Sequence, residues 1–258
     1  MSETAVKLAR RDEAVVITLD RQEALNALSF AILEEIGDAI AEAARSDARA
    51  LIVTGAGGKA FCAGADIKEL RDRDLMAQRR GAQRGQEIFA GLERLPFPSV
   101  AVLDGFAFGG GLELALACTF RVGTPNAKLG LPEIKLGLIP GYGGTQRLPR
   151  LIGEARAMEL ILSGRTVRAD EALAIGLLQE VAEGDAVDVG LAFARRFTGY
   201  SLPALGFARE AVSRALDVPV HEGLKIEADL STLAYRMQDA EEGMAAFEEK
   251  RDPEWKDA

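Results

Sequence analysis

Two acidic residues, Glu113 and Glu133, lie in an apolar, glycine-studded stretch that runs from Ser99 to Arg147. Glu113 is flanked by Leu112, Leu114, Ala115 and Leu116, and Glu133 follows Pro132. A carboxylate is costly to desolvate as an anion, so folding alone gives no reason to place one there. Proton transfer does give a reason. Gly109-Gly110-Gly111 open the short segment that carries Glu113, and a helix N-terminus offers unpaired N–H groups and partial positive charge to an oxygen that becomes negative. A second run of small residues, Ala63-Gly64-Ala65, lets a ligand approach the main chain and take a hydrogen bond from it. Two carboxylates beside N–H donors from separate loops suit a reaction in which a carbonyl becomes an enolate while protons move at adjacent carbons. Each feature has a plainer reading. The glycines could serve close packing against a strand, and Glu133 could pair with Lys135, two residues on.

Other chemistries fit less well. Gly55 to Ala60 matches a dinucleotide fingerprint in letters, but small residues continue where a helix would have to begin, and Lys59-Ala60 misses the Ser or Thr of a phosphate-binding loop. Cys62 and Cys118 lack zinc-site spacing, and no histidine lies near Cys62 to activate it. The one histidine, His221, reads as a surface residue near a helix start, so Ser-His chemistry is not expected.

The elements that must position the two glutamates follow from periodicity. Val6–Ala9 and Val15–Asp20 read as a hairpin, and Ser29 caps a helix through Arg45 with Ile32, Leu33, Ile36 and Ile40 on one face. Ala50–Thr54 and Ser99–Leu103 read as buried strands. Residues 55–67 between them read as a loop, followed by a helix from Glu69 to Arg94. Gly109–Cys118 is expected to be a helix apolar nearly all round, and Phe120–Gly123 and Lys128–Leu131 to be extended. From Thr145 the pattern is helical through Leu162, and again over Arg168–Ile175 and Asp188–Phe197. The last helices, about Pro203–Leu216, Val220–Gln238 and Ala240–Lys250, form a strandless tail that must dock on the core or a neighbour. The expected division is a core over 1–200 and a helical segment over 201–258.

The 258 residues are long enough for a full core, and the composition of 48% hydrophobic and 28% charged is that of a globular protein. A net charge of −9 argues against nucleic-acid or anionic-membrane partners. With no membrane-length apolar run and no apolar leader, a cytoplasmic protein is expected.

The chain also resembles the enoyl-CoA hydratase (crotonase) superfamily over nearly its whole length. The resemblance rests on LDRQEALNAL, GKAFCAGADIKEL, GFAFGGGLELALAC, PEIKLGLIPGYGGTQRLPR, SGRTVRADEALAIGLLQEV and EGMAAFEEKR, in that order. It implies an α/β spiral of repeated ββα units with a C-terminal helical trimerisation tail. The implied activity is addition of water to a trans-2-enoyl-CoA, in fatty-acid or branched-chain acyl-CoA breakdown. By position, Ala63 and Gly110 match the backbone donors to the thioester oxygen; Glu113 matches the residue that helps activate water, and Glu133 the one that supplies a proton to C2. Gly64, Ala65, Asp66 and Ile67 match the stretch along the coenzyme, as do Phe247 and Lys250 from the C-terminal part. The same resemblance implies no metal, no cofactor beyond the coenzyme A of the substrate, and a homotrimer or homohexamer. Methylglutaconyl-CoA hydration and enoyl-CoA isomerisation are the alternatives within it, and a non-catalytic RNA-binding relative is the alternative outside. Glu23 stands where some relatives carry a lysine near the phosphates, and Leu103-Asp104 where Val-Asn is frequent.

Overall fold

A computed structural model describes residues 4–258. The chain forms two compact units, with the boundary between Ala194 and Arg195.

The first unit begins with the antiparallel pair β1 (Val6–Arg11) and β2 (Ala14–Leu19), followed by α1 (Phe30–Ala44). The Ser29 hydroxyl accepts the Ile32 N–H at 3.1 Å and starts α1, whose Ile32, Leu33, Ile36 and Ile40 are buried. Three successive β-β-α units come next: β3 (Ala50–Gly55) and β4 (Ala60–Cys62) with the helices α2 (Ile67–Leu70) and α3 (Leu75–Glu93); β5 (Ser99–Leu103) and β6 (Phe106–Phe108) with α4 (Gly110–Ala117); β7 (Phe120–Gly123) and β8 (Lys128–Gly130) with α5 (Gly144–Ile152) and α6 (Glu154–Ser163). Each unit gives its first strand to one sheet and its second to another. The large sheet runs β1-β2-β3-β5-β7-β10, and the small one β4-β6-β8-β9, where β9 is Val167–Arg168 and β10 is Glu180–Val181. From β2 through β10 the large sheet is parallel, and β3 and β5 are buried almost throughout, as a parallel sheet covered on both faces requires. Between β9 and β10 lies α7 (Ala169–Ala174), and α8 (Ala186–Thr198) leads out of the unit.

Three local readings change, and one strand, β6, lies where no element was expected. Residues 55–67 are not loop throughout, because β4 lies inside them, and β6 occupies part of a glycine-flanked run. Three residues are too few for an alternation of apolar and polar positions to show. The expected helix over Glu69–Arg94 is two helices, each with its own cap: Asp66 accepts the Lys68 N–H at the start of α2, and Asp74 accepts the Ala77 N–H at the start of α3. Arg71 is extended and Asp72 has φ +60°, which breaks the helix between them. The region after Thr145 is not purely helical, since β9 and β10 return the chain once to each sheet.

Arg121 in β7 is 2% exposed. Its guanidinium donates to the carbonyls of Cys118 at 2.9 Å, Ala115 at 3.5 Å and Leu177 at 3.0 Å, the first two belonging to the C-terminal end of α4.

The second unit holds α9 (Leu202–Arg214), α10 (Val220–Ala234) and α11 (Gln238–Glu249). Its closing segment is tied down by Asp239, 2% exposed, which accepts the N–H groups of Lys256 and Asp257 at 2.6 and 3.0 Å. Trp255 Nε1 donates to the Gly199 carbonyl at 2.7 Å. No residue of α9 or α10 is buried, and Leu216, Val220, Leu224, Leu233, Tyr235 and Phe247 are exposed. No helix among the described residues is long and apolar enough to cross a membrane.

Candidate active site

The parallel strands β4, β6 and β8 lie side by side and end at one edge of the small sheet. The backbone that leaves such strand ends forms the usual ligand crevice of parallel sheets. The register pairs Cys62 with Ala107, and three residues further along each chain stand Ala65 and Gly110. The two backbones touch: a Cβ on Gly64 would lie 3.0 Å from the Phe108 carbonyl oxygen, and one on Gly111 would overlap the Cys62 carbonyl.

This register corrects one assignment. Ala63 was expected to aim its N–H at a substrate oxygen, but that N–H donates to the Leu25 carbonyl at 3.0 Å. The next bonds to the same segment are Leu28 N–H to the Gly64 carbonyl and Asp66 N–H to the Leu28 carbonyl, both 2.8 Å. In a regular strand residues 63 and 65 would present their N–H groups to the same side. Gly64 at φ +109° breaks that alternation, a conformation costly for any side chain. Ala65 N–H is left with no acceptor among the described residues, as is Gly110 N–H at the first turn of α4. Ala65 and Gly110, one from each backbone, thus carry N–H groups without an acceptor among the described residues, whereas Ala63 does not. Ala65 was expected only to line the coenzyme, and no local signal in the sequence separates it from Ala63.

Glu113 is 2% exposed. One of its oxygens accepts the N–H groups of Tyr142 at 2.8 Å and Gly144 at 2.7 Å. Burial raises its pKa, while those N–H groups and the Arg147 charge oppose the rise. Gly144 admits the carboxylate, since a Cβ there would come within 3.1 Å of its oxygen. The N–H groups of Tyr142 and Gly144 reach Glu113 across 29 and 31 residues, a contact that no local pattern in the sequence shows.

Glu133 sits in a single 3-10 turn, Pro132–Leu136, closed by Gly137 at φ +71°. Its Oε2 is buried with no hydrogen-bond partner among the described residues. Burial first, then the negative charge of Glu113, pushes its pKa up to about 7. No Lys135–Glu133 ion pair forms among the described residues, so the plain salt-bridge reading fails. Gly109, at φ +51°, lets Glu133 come close: a Cβ there would stand 2.9 Å from Oε1.

Around this edge Asp66 pairs with Arg21 at 3.0 Å, which lowers its pKa, and caps α2, while Ile67 is 46% exposed. Glu23 is exposed and lies 3.7 Å from Arg21. Phe247, 85% exposed, and Lys250, the left-handed cap of α11, belong to the second unit. His221 is exposed and lies there too. Cys62 and Cys118 are buried, and burial pushes both thiols up to about 12, which makes them inert as nucleophiles. No group of three His, Cys, Asp or Glu side chains is placed to hold a metal among the described residues.

The fold and site place the chain in a defined class. Residues 10–258 match the enoyl-CoA hydratase/isomerase family model, and the protein belongs to that family. It is 37% identical to the short-chain-enoyl-CoA hydratase of Clostridium acetobutylicum and 38% identical to the crotonyl-CoA hydratase of Syntrophomonas wolfei, each alignment covering 95% of both chains. It also superimposes on the crystal structure of an enoyl-CoA hydratase from Bacillus anthracis with a TM-score of 0.93 and 38% identity, covering 98% of this chain and all of the other. The expected α/β architecture of the superfamily is thus the one observed.

Proposed function

We propose that the protein is a hydro-lyase that adds water to a trans-2-enoyl-CoA and gives a 3-hydroxyacyl-CoA. The observation that carries this reading is the contrast between two carboxylates at one strand edge. One is held by N–H groups that favour its anion, and the other has a pKa near 7 and a buried oxygen without a partner. Unequal hydrogen bonding of two neighbouring carboxylates suits one to act as base and the other as acid. Glu113 takes a proton from water as the water oxygen bonds to C3. Glu133 gives a proton to C2, and the electron pair that passes through the thioester oxygen is stabilised there by the N–H groups of Ala65 and Gly110. Addition of water changes no oxidation state overall, so the reading calls on no redox cofactor, and coenzyme A enters only as part of the substrate. Two carboxylates favour hydration over double-bond isomerisation, which needs proton transfer alone. The names of the Clostridium and Syntrophomonas relatives support a short acyl chain. Turnover of a panel of enoyl-CoA thioesters is the test. Loss of enoyl absorbance is expected with crotonyl-CoA, whereas double-bond migration without hydration would overturn the reading.

A homotrimer or homohexamer belongs to the same proposal. The exposed Val220 and Leu224, one turn apart on the same side of α10, support it, because apolar surface of this kind marks contact faces. Sedimentation should show a trimer or hexamer; a monomer at all concentrations would remove this part.

A further inference from the structure

We infer that Arg147 is a positioning residue for Glu113, fixing the turn whose N–H groups hold that carboxylate, and that α3 anchors it through Glu93. The inference rests on the catalytic reading of Glu113 given above. Arg147 lies in the first turn of α5, and its side chain is 17% exposed. Its Nη1 donates to the Tyr142 carbonyl at 3.0 Å, and its Nε to Glu93 at 2.6 Å. The N–H of that same Tyr142 binds Glu113. The guanidinium crosses over Gly143, at φ +114°, where a Cβ would overlap it.

The anchoring side is one stripe of α3. Gly85, Phe89 and Glu93 recur every four residues, and so share a face. A Cβ on Gly85 would overlap the Tyr142 ring, Phe89 meets that ring edge-on at 5.7 Å, and Glu93 holds Arg147. Next to them Gln86 donates to the Gly141 carbonyl at 2.8 Å. The other side of the Tyr142 ring reaches Gly110, where a Cβ would lie 3.2 Å away. Loosening Arg147 therefore disturbs the base and the neighbouring backbone donor together. The charged and titratable groups coupled electrostatically to Glu113 are Arg147, Glu133 and Tyr142, and of these only Arg147 favours its anion.

A structural ion pair would affect the melting temperature alone, so the test reads the Glu113 proton directly. In the full-length protein carrying 13C-labelled glutamate, infrared difference spectra follow the Glu113 carboxyl against pH, assigned through Glu113→Gln. Hydration of crotonyl-CoA is measured over the same range. In Arg147→Gln the titration and the acid limb of kcat should both move to higher pH, because a favourable charge is gone. At neutral pH kcat should fall about 10²-fold with KM little changed, as expected for a displaced catalytic group. Arg147→Lys keeps the charge and loses the two-pronged geometry. Its titration should stay near that of the wild type while kcat recovers only in part, and this variant carries the test if Arg147→Gln fails to fold. A folded Arg147→Gln with the Glu113 titration unmoved, or both variants within twofold of wild-type kcat, would overturn the inference. A wild-type protein that hydrates no enoyl-CoA would instead remove the catalytic reading, and the infrared titration would still decide the role of Arg147.

Discussion

The first turn of α4 and the turn that follows β8 both deliver a glutamate to one strand edge, and they do it in opposite ways. Glu113 is on a helix with every residue buried and has two backbone N–H groups on one oxygen. Glu133 is on a one-turn helix with no buried residue, and the oxygen it turns inward has no partner. Burial raises both; on Glu113 two N–H groups and the Arg147 charge oppose the rise, whereas on Glu133 the charge of Glu113 adds to it. The same side chain is thus tuned to two tasks by what the backbone offers it.

The largest effect that could break this comparison is chemical. Glu113→Gln and Glu133→Gln should each fold and each lose about 10²–10⁴-fold in turnover, with the double variant little worse than the poorer single one. Near-wild-type turnover in either would make that glutamate structural. A smaller effect separates the two alanines that precede α2. Ala65→Pro removes a free donor and should cost about 10²–10³-fold in kcat with coenzyme A affinity much less changed, provided the melting curve shows a folded protein. Ala63→Pro removes a bond already made to Leu25, and should cost about 1 kcal/mol of stability, with a lesser loss of turnover. Equal losses of turnover in the two would show that the donors are not distinguished by register.

The smallest effect is on stability, and its sign depends on pH. A carboxyl whose pKa is raised from 4.5 to about 7 on folding favours the folded state only while protonated. The native state binds more protons than the unfolded state between those values, so its stability falls as pH rises through that window. Glu133→Gln should therefore melt higher than the wild type at pH 8, and the advantage should fade toward pH 4.5. Glu113→Ala should melt lower, because it leaves the Tyr142 and Gly144 N–H groups without their acceptor. Differential scanning calorimetry at both pH values checks the pair, and a Glu133→Gln protein less stable at pH 8 than at pH 4.5 relative to wild type would invert the assignment.

Both carboxylates were legible because polar residues in an apolar run conflict with folding, and a conflict shows in a single sequence. The helix start at Gly110 was legible for the same reason that glycines are. What could not be read depended on distant segments. Choosing Ala65 over Ala63 needs the Leu25 and Leu28 partners and the flip at Gly64, and the ligands of Glu113 come from the turn at Tyr142 and Gly144. The three-residue strands β4 and β6 exist because neighbours pair with them. In α3 the aspartate caps were present in the letters, yet the unbroken polar run from Glu69 hid the division between two helices.

The guanidinium buried beneath α4 has an electrostatic consequence for the whole edge. An eight-residue helix about 12 Å long presents opposite partial charges at its two ends, and at a distance these largely cancel. Arg121 places a full positive charge against the carbonyl end, out of reach of bulk water. The negative pole is neutralised from within, and the amide end near Gly110 then acts as an isolated pole whose potential declines with distance rather than with its square. The thioester oxygen that turns negative beside Gly110 is the charge this pole is placed to stabilise.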